Sequence, residues 1–460
     1  MRRPPRRSVV AAVVGVVLAV LAGCAQVVPG RPSAAGSTDA AGPTGTAAIA
    51  AATPAQVTAA TAEALQDFWR QAFPAAFGRP WRDVRQFVPV ATADRRAKPP
   101  PCVARAADLD GQAYYCPAAD AVVWDADGLV PQIFGRFGAA GVVVVLAHEV
   151  GHAVQSRLGV DGAQARSPAT YPTILLEAMS DCYAGATVAH LRDHPAPGLA
   201  LGAGERDTAL LALVGFRDPV GVGPSDASAH GNAFDRVSAF QDGWAGGPAR
   251  CAAMTVAERE FTERRFGSAA DQARRGNLPL AQLLPGVETD ARGWFTGLAA
   301  PTAPTWNAPV LRSAGQAACP TAELTAQGPA RFCATDGSIH VDRAGLATQE
   351  QRFGDYAAAT LVASRYALAT LAALGRPTTG GAAGDAAVCL AGAYTARLID
   401  PTGSFSLSPG DLDEAVQVLL TADWAARDAR GDVDPGEDGF DRVGRFRGGL
   451  RGGVGGCLPS

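Results

Sequence analysis

The chain repeats itself, and this constrains its possible folds more than any other feature. Arg136-Phe137-Gly138 opens a segment that aligns without gaps on Arg352-Phe353-Gly354, an offset of 216 that holds to Gly159 against Gly375. Upstream, Tyr115-Cys116-Pro117 and Val122-Val123-Trp124-Asp125 resemble Phe332-Cys333-Ala334 and Ile339-His340-Val341-Asp342. Downstream, Cys182-Tyr183-Ala184-Gly185-Ala186 matches Cys389-Leu390-Ala391-Gly392-Ala393, and Phe234-Asp235-Arg236-Val237 recurs as Phe440-Asp441-Arg442-Val443. Blocks recurring in one order read as two diverged copies of a single domain. A chain of 460 residues is long enough for both.

The cysteines follow the repeat. Cys102 and Cys116 are 14 residues apart, as are Cys319 and Cys333; Cys182 and Cys251 are 69 apart, and Cys389 and Cys457 are 68 apart. A duplicated, even set favours disulfides. Four cysteines per copy allow three connectivities; the preferred one is Cys102–Cys116, Cys182–Cys251, Cys319–Cys333 and Cys389–Cys457, because the near partners flank an expected hairpin. The competing reading makes Cys182 a nucleophile or metal ligand.

The N-terminus reads as an export signal. Arg2, Arg3, Arg6 and Arg7 precede an apolar stretch, Val9 to Leu21, that is short for a membrane span. Leu21-Ala22-Gly23-Cys24 looks like a bacterial lipoprotein processing site, with residues 1–23 removed and Cys24 lipidated; an uncleaved signal anchor is the alternative. Both readings put the rest of the chain outside the cytoplasmic membrane, in the cell envelope, with the membrane as a partner through the anchor. Residues 24–54 are almost entirely Ala, Gly, Pro, Ser, Thr and Val and read as a flexible tether. The remainder divides into a first copy over 55–260, a connecting helical segment over 261–288 and a second copy over 289–460. No Lys/Arg-rich run follows residue 10, so a nucleic-acid partner is not expected.

The first copy carries the chemistry. Apolar Val142 to Ala147 leads into His148-Glu149-Val150-Gly151-His152 on a helix predicted over 139–158. Four-residue spacing puts both imidazoles on one helix face, where one zinc ion can take them, with Glu149 placed to deprotonate the attacking water. Glu177 and Asp181 are again four apart, on a helix predicted over 174–191. A catalytic zinc takes three protein ligands and leaves one position open: Glu177 is the third-ligand candidate, and Asp181 can hold the free nitrogen of a ligand His. His230, in Ala229-His230-Gly231, is a candidate to steady an oxyanion, against a local structural role. His190 and His194 share the four-residue spacing but sit at an expected helix end, where an imidazolium suits the dipole. His340 reads as structural.

These motifs resemble the gluzincin, thermolysin-like arrangement. Glu177-Ala178-Met179-Ser180-Asp181-Cys182-Tyr183-Ala184-Gly185, with Cys116-Pro117 before and Ala229-His230-Gly231 after, is closer to the bacterial neutral zinc metallopeptidases, over about residues 60 to 255. The resemblance implies His148, His152 and Glu177 as zinc ligands, Glu149 as general base and Asp181 behind a ligand. Ala153 departs from the family, which usually has a second His directly after the motif.

Aligned on the repeat, His148, Glu149 and His152 become Ser364, Arg365 and Leu368, while Glu177, Asp181 and His230 become Gly384, Val388 and Gly436. The second copy therefore reads as degenerate and metal-free, kept for packing, substrate restriction or partner binding; because Cys389 survives there, Cys182 is structural too. The expected fold is α+β: a mainly helical zincin-like domain with a small hairpin or sheet, duplicated in tandem. The expected activity is peptide-bond hydrolysis on a peptide or protein substrate, with Ala121 to Asp125 offering a strand edge to it. The rival is an envelope scaffold or binding lipoprotein with zinc structural or absent. A third reading has the second copy holding the enzyme latent.

Overall fold

The computed structural model describes residues 52–199, 201–314, 318–400, 403 and 405–458. The expected signal, Cys24 and the tether as far as Ala51 lie outside the described residues. Helices dominate, with two three-stranded sheets, an α+β composition.

The elements fall into two runs. The first comprises α1 (Pro54–Phe77), β1 (Gln86–Val90), β2 (Ala113–Cys116), β3 (Ala121–Asp125), α2 (Leu129–Leu158), α3 (Val160–Arg166), α4 (Thr173–Asp193), α5 (Ala203–Gly215) and α6 (Ala233–Ala252). Short α7 (Val256–Arg259) and α8 (Ala269–Ala273) lead to the second. It comprises α9 (Leu280–Ala299), β4 (Leu311–Ser313), α10 (Thr321–Ala326), β5 (Ala330–Cys333), β6 (Ser338–Val341), α11 (Arg343–Phe353), α12 (Asp355–Ala373), α13 (Gly381–Leu398), α14 (Asp411–Thr421) and α15 (Gly439–Gly452). Helix α9 runs unbroken through the boundary expected at 288/289, because Leu283, Leu284, Val287, Ala291 and Phe295 form one buried stripe.

Both sheets have the same topology. Order β1-β3-β2 has β3 parallel to β1 and antiparallel to β2, and β4-β6-β5 repeats this. Strand β3 is therefore central, which corrects the expectation that Ala121 to Asp125 offers an edge. All five β3 residues are buried, as suits a strand covered on both faces; the free edges belong to β1 and β2.

Helix α2 is long and apolar enough to cross a membrane by composition. Here it is a core helix, buried from Ala139 to Gln155 except for the partly exposed Val145, and packed on α1, α4, α5 and the sheet. It kinks at Gly138, whose φ of 57° suits only glycine well, just after Phe137 with Arg136 stacked on its ring. The second run breaks between α11 and α12 at the matching place, Gly354, with Arg352 on Phe353.

The tightest helix contacts also match. Helices α4 and α6 cross through Gly185 and Gly243; a Cβ on Gly243 would stand 1.7 Å from the Cys182 carbonyl oxygen. Helices α13 and α15 cross through Gly392 and Gly449, where a Cβ on Gly449 would stand 1.8 Å from the Cys389 carbonyl oxygen. Disulfides Cys182–Cys251 and Cys389–Cys457 staple these crossings, and Cys102–Cys116 and Cys319–Cys333 clip a loop to the end of β2 and of β5. All four pairs agree with the spacing argument.

The runs dock by exchanging helix caps. Asp207 of α5 accepts from the Gly439 and Phe440 amides at the start of α15, at 2.7 and 2.8 Å. Asp413 of α14 accepts from the Ala233 amide at the start of α6, at 2.7 Å, and from Arg217 Nε at 3.0 Å. The two contacts are reciprocal, the first run capping a helix of the second and the second a helix of the first. Asp413→Ala removes an acceptor from a buried amide and from Arg217, so it is expected to destabilise the chain by about 1–3 kcal/mol. Calorimetry tests this; an unchanged melting temperature would show that the cap carries no stability.

Candidate metal centre

The candidate site lies where α2 meets α4. Gly151 permits the approach: a Cβ there would stand 2.9 Å from Ser180 Cα. That closeness lets one helix present His148 and His152 and the other Glu177, all at least 96% buried.

One ligand atom from each of His148, His152 and Glu177 lies within 4.8 Å of the others. His148 Nε2 is 3.1 Å from Glu177 Oε2, and His152 Nε2 is 3.5 Å from Glu177 Oε1. The outward nitrogens are held from behind. Asp181 Oδ1 lies 2.7 Å from His148 Nδ1, while Gln155 Oε1 and Ser180 Oγ lie 3.3 and 3.1 Å from His152 Nδ1. Both imidazoles are therefore oriented with Nε2 facing the carboxylate.

The donors fit zinc. His152 Nε2 and Glu177 Oε1 are buried without a hydrogen-bond partner, a costly state that a cation would relieve. Burial disfavours charge on His148, yet Asp181 and Glu177 outweigh it and push the imidazole up to about 10. Burial also opposes the Glu177 carboxylate, but His152, His230 and His148 hold it below its ordinary value. The pocket thus calls for positive charge beside Glu177. His152, where burial dominates, is held down to about 4 and is the neutral imidazole a metal needs.

Glu149 is 1% exposed, and its Oε2 has no partner. Burial pushes its carboxyl up to about 7, against the pull of His148, His230 and the Tyr115 backbone amide. Tyr115 lies on β2, so the strand edge that approaches Glu149 is β2.

His230 is buried and does not belong to the three-donor cluster. Its backbone amide donates to Asp218 Oδ2 at 2.5 Å, and its Nδ1 is 3.2 Å from Asp218 Oδ1. Burial opposes its charge, but Glu177 and Asp218 raise its pKa. His190 and His194 have ring centroids 4.6 Å apart and form no three-donor group among the described residues. His340 is a buried strand residue 2.8 Å from Ser338 Oγ.

Four contributors were not singled out from the sequence: Gln155, Ser180, Asp218 and Arg236. Arg236 is the most consequential. Its Nε and a terminal nitrogen each donate to Asp181 at 2.9 Å, and another nitrogen donates to the Phe216 carbonyl at 2.6 Å. The chain Arg236–Asp181–His148 is buried throughout. The recurring Phe-Asp-Arg-Val block was the available signal for it.

At the matching positions of the second run, Arg365 donates to Gln327 Oε1 and to the Trp424 and Ala425 carbonyls. A Cβ on Gly384, in the place of Glu177, would stand 1.9 Å from the Ala426 carbonyl oxygen. The segment 424–426 fills the space that a metal-ligand side chain would need.

A buried His pair four residues apart on one helix, completed by Glu from a second, makes a three-donor cluster that could hold a metal ion, and three protein donors is the number a catalytic zinc takes. The chain belongs to the putative neutral zinc metallopeptidase family, whose model matches residues 7–254, just over half its length. No curated protein and no solved structure matches it.

Proposed function

We propose that the chain is a single-zinc metallopeptidase that hydrolyses peptide bonds, built as a tandem duplication whose first copy is active. The observation that carries this reading is the His148–His152–Glu177 cluster with the unpartnered carboxylate Glu149 beside it. A zinc ion held by the cluster would supply Lewis acidity to the scissile carbonyl and to water. Glu149, raised towards neutrality, takes the proton from the attacking water and passes it to the leaving amine. His230, steadied by Asp218, donates a hydrogen bond to the developing oxyanion. Asp181 and Arg236 hold His148; Gln155 and Ser180 hold His152. Strand β2 offers the backbone edge nearest Glu149 to an extended substrate.

The duplication accounts for the shared sheet topology, the matched glycine crossings and the exchanged caps. Its units are best drawn at 54–260 and 280–458, the second starting with α9. The second copy serves as a docking platform that caps α6, the helix carrying Arg236. Residues 1–23 act as an export signal, and lipid on Cys24 anchors the protein to the outer face of the membrane. Cys24→Ser is expected to move the protein from the membrane pellet to the soluble fraction; unchanged fractionation would rule out the lipid anchor.

Zinc content tests the central reading. The purified chain is expected to carry one zinc per molecule, lost on His148→Ala and on Glu177→Ala. Metal analysis of the three proteins checks this. A zinc-free parent, or zinc that survives both substitutions, would favour the scaffold reading.

A further inference from the structure

We propose that the second run carries a cation site of its own, formed by Asp355, Asp411 and Glu414, which takes a hard divalent cation with Ca²⁺ preferred. It lies away from the positions that match the zinc site and does not depend on that site's function. Asp355 opens α12, and Asp411 and Glu414 lie in the first turn of α14. All three are at least 95% buried, and one oxygen of each lies within 4.8 Å of the others.

Three observations point to a ligand. Asp355 Oδ1 and Asp411 Oδ1 are buried with no hydrogen-bond partner. The opposite oxygens are already fixed: Asp355 Oδ2 accepts from the Leu278 amide, Asp411 Oδ2 from the Ser408 amide and Glu414 Oε2 from the Tyr356 amide, at 2.7 to 2.8 Å. Side chains held on one oxygen with the other left over are preorganised donors.

No Arg, Lys or His forms an ion pair with any of the three among the described residues. The neighbouring Arg264 donates instead to the Leu407 and Ile399 carbonyls. Buried carboxylates this close cannot all stay ionised without a counter-charge. Burial pushes all three carboxyls up, and Asp355 and Glu414 approach closely enough to share a hydrogen bond, so the alternative occupant is a shared proton.

Gly354 makes room for the Glu414 side chain itself. A Cβ on Gly354 would stand 2.0 Å from the Glu414 carboxylate. In the first run, the positions matching Asp355 and Glu414 are Ala139 and Thr208, and only Asp411 falls on another acid, Glu205, so the three-acid set belongs to the second run alone. An all-oxygen, carboxylate-rich donor set selects Ca²⁺ over softer metals, and Mg²⁺ demands stricter geometry. The cation would tie α12 and α14 to the incoming connection, where Asn277 Oδ1 accepts from the Asp355 amide at 2.9 Å.

The test is Tb³⁺ luminescence on the purified chain, with Tyr356, whose amide already binds Glu414, as the built-in sensitiser. The expected result is one saturable Tb³⁺ per chain, displaced by Ca²⁺ ahead of Mg²⁺, and a melting temperature raised by a few degrees in excess Ca²⁺. Asp355→Asn and Asp411→Asn, isosteric and neutral, should weaken Tb³⁺ binding at least tenfold while keeping the circular dichroism of the parent. Glu177→Ala should leave it unchanged. No saturable uptake, or uptake indifferent to both Asn variants, would overturn the site and leave a shared proton as its occupant. Displacement by Mg²⁺ ahead of Ca²⁺ would overturn the calcium preference. Should either variant fail to fold, calorimetric Ca²⁺ titration of the parent decides the point alone.

Discussion

Glu149→Gln is expected to lower turnover by roughly a hundred- to ten-thousandfold, the range for loss of a positioned general base, while zinc content stays at the parent level. The side chain is 1% exposed, and its Oε2 has no partner to lose. Burial already pushes the carboxyl up to about 7, so a neutral isostere is no stranger to the pocket than the acid. The melting temperature should therefore change by no more than a degree or two. Glu149 is also outside the three-donor cluster, so metal binding does not depend on it. Peptide hydrolysis and metal analysis on the same preparation separate the possibilities. Full activity would end the assignment of Glu149 as base. Lost zinc would mean that the carboxylate is a ligand.

Arg236→Met is expected to destabilise the chain by about 3–5 kcal/mol, because it strips one partner from a buried ion pair and leaves Asp181 to face His148 alone. Burial works against the Asp181 carboxylate, but Arg236 and His148 hold its pKa below the ordinary value. The sign follows. A depressed carboxyl pKa gives stability that is present at neutral pH and fades only as acid protonates the group, so the variant should lose most near neutrality. Zinc affinity should fall by about ten- to a hundredfold, since Asp181 sets the orientation of His148. The double variant Arg236→Met/Asp181→Asn distinguishes the two effects. It removes the unpaired charge and should recover much of the stability but not the zinc affinity. A parent-like melting temperature in Arg236→Met would show that Asp181 is not ionised in the folded protein.

What the sequence determined by itself is what short-range periodicity and composition encode. Four-residue spacing fixes a shared helix face, which is why His148 with His152 and Glu177 with Asp181 could be read off directly. The structure then brings His148, His152 and Glu177 into one cluster. The repeated cysteine spacings and the expected hairpin favoured one of three connectivities, and the structure forms those four pairs.

Tertiary structure decided what depends on partners distant in the chain. Arg236 reaches Asp181 across 55 residues, and Asp413 reaches Ala233 across 180. Nothing local in either residue announces such a partner, because a hydrogen bond across helices depends on how the helices cross. That crossing is set by glycines such as Gly151 and Gly243, where two backbones come within reach. Strand order escaped the sequence for the same reason. An apolar run marks β3 as buried, but only pairing with β1 on one side and β2 on the other makes it central and leaves β2 as the edge beside Glu149. The cluster of Asp355, Asp411 and Glu414 joins the first turns of two helices whose starts lie 56 residues apart, and its burial arises only when α12 and α14 pack.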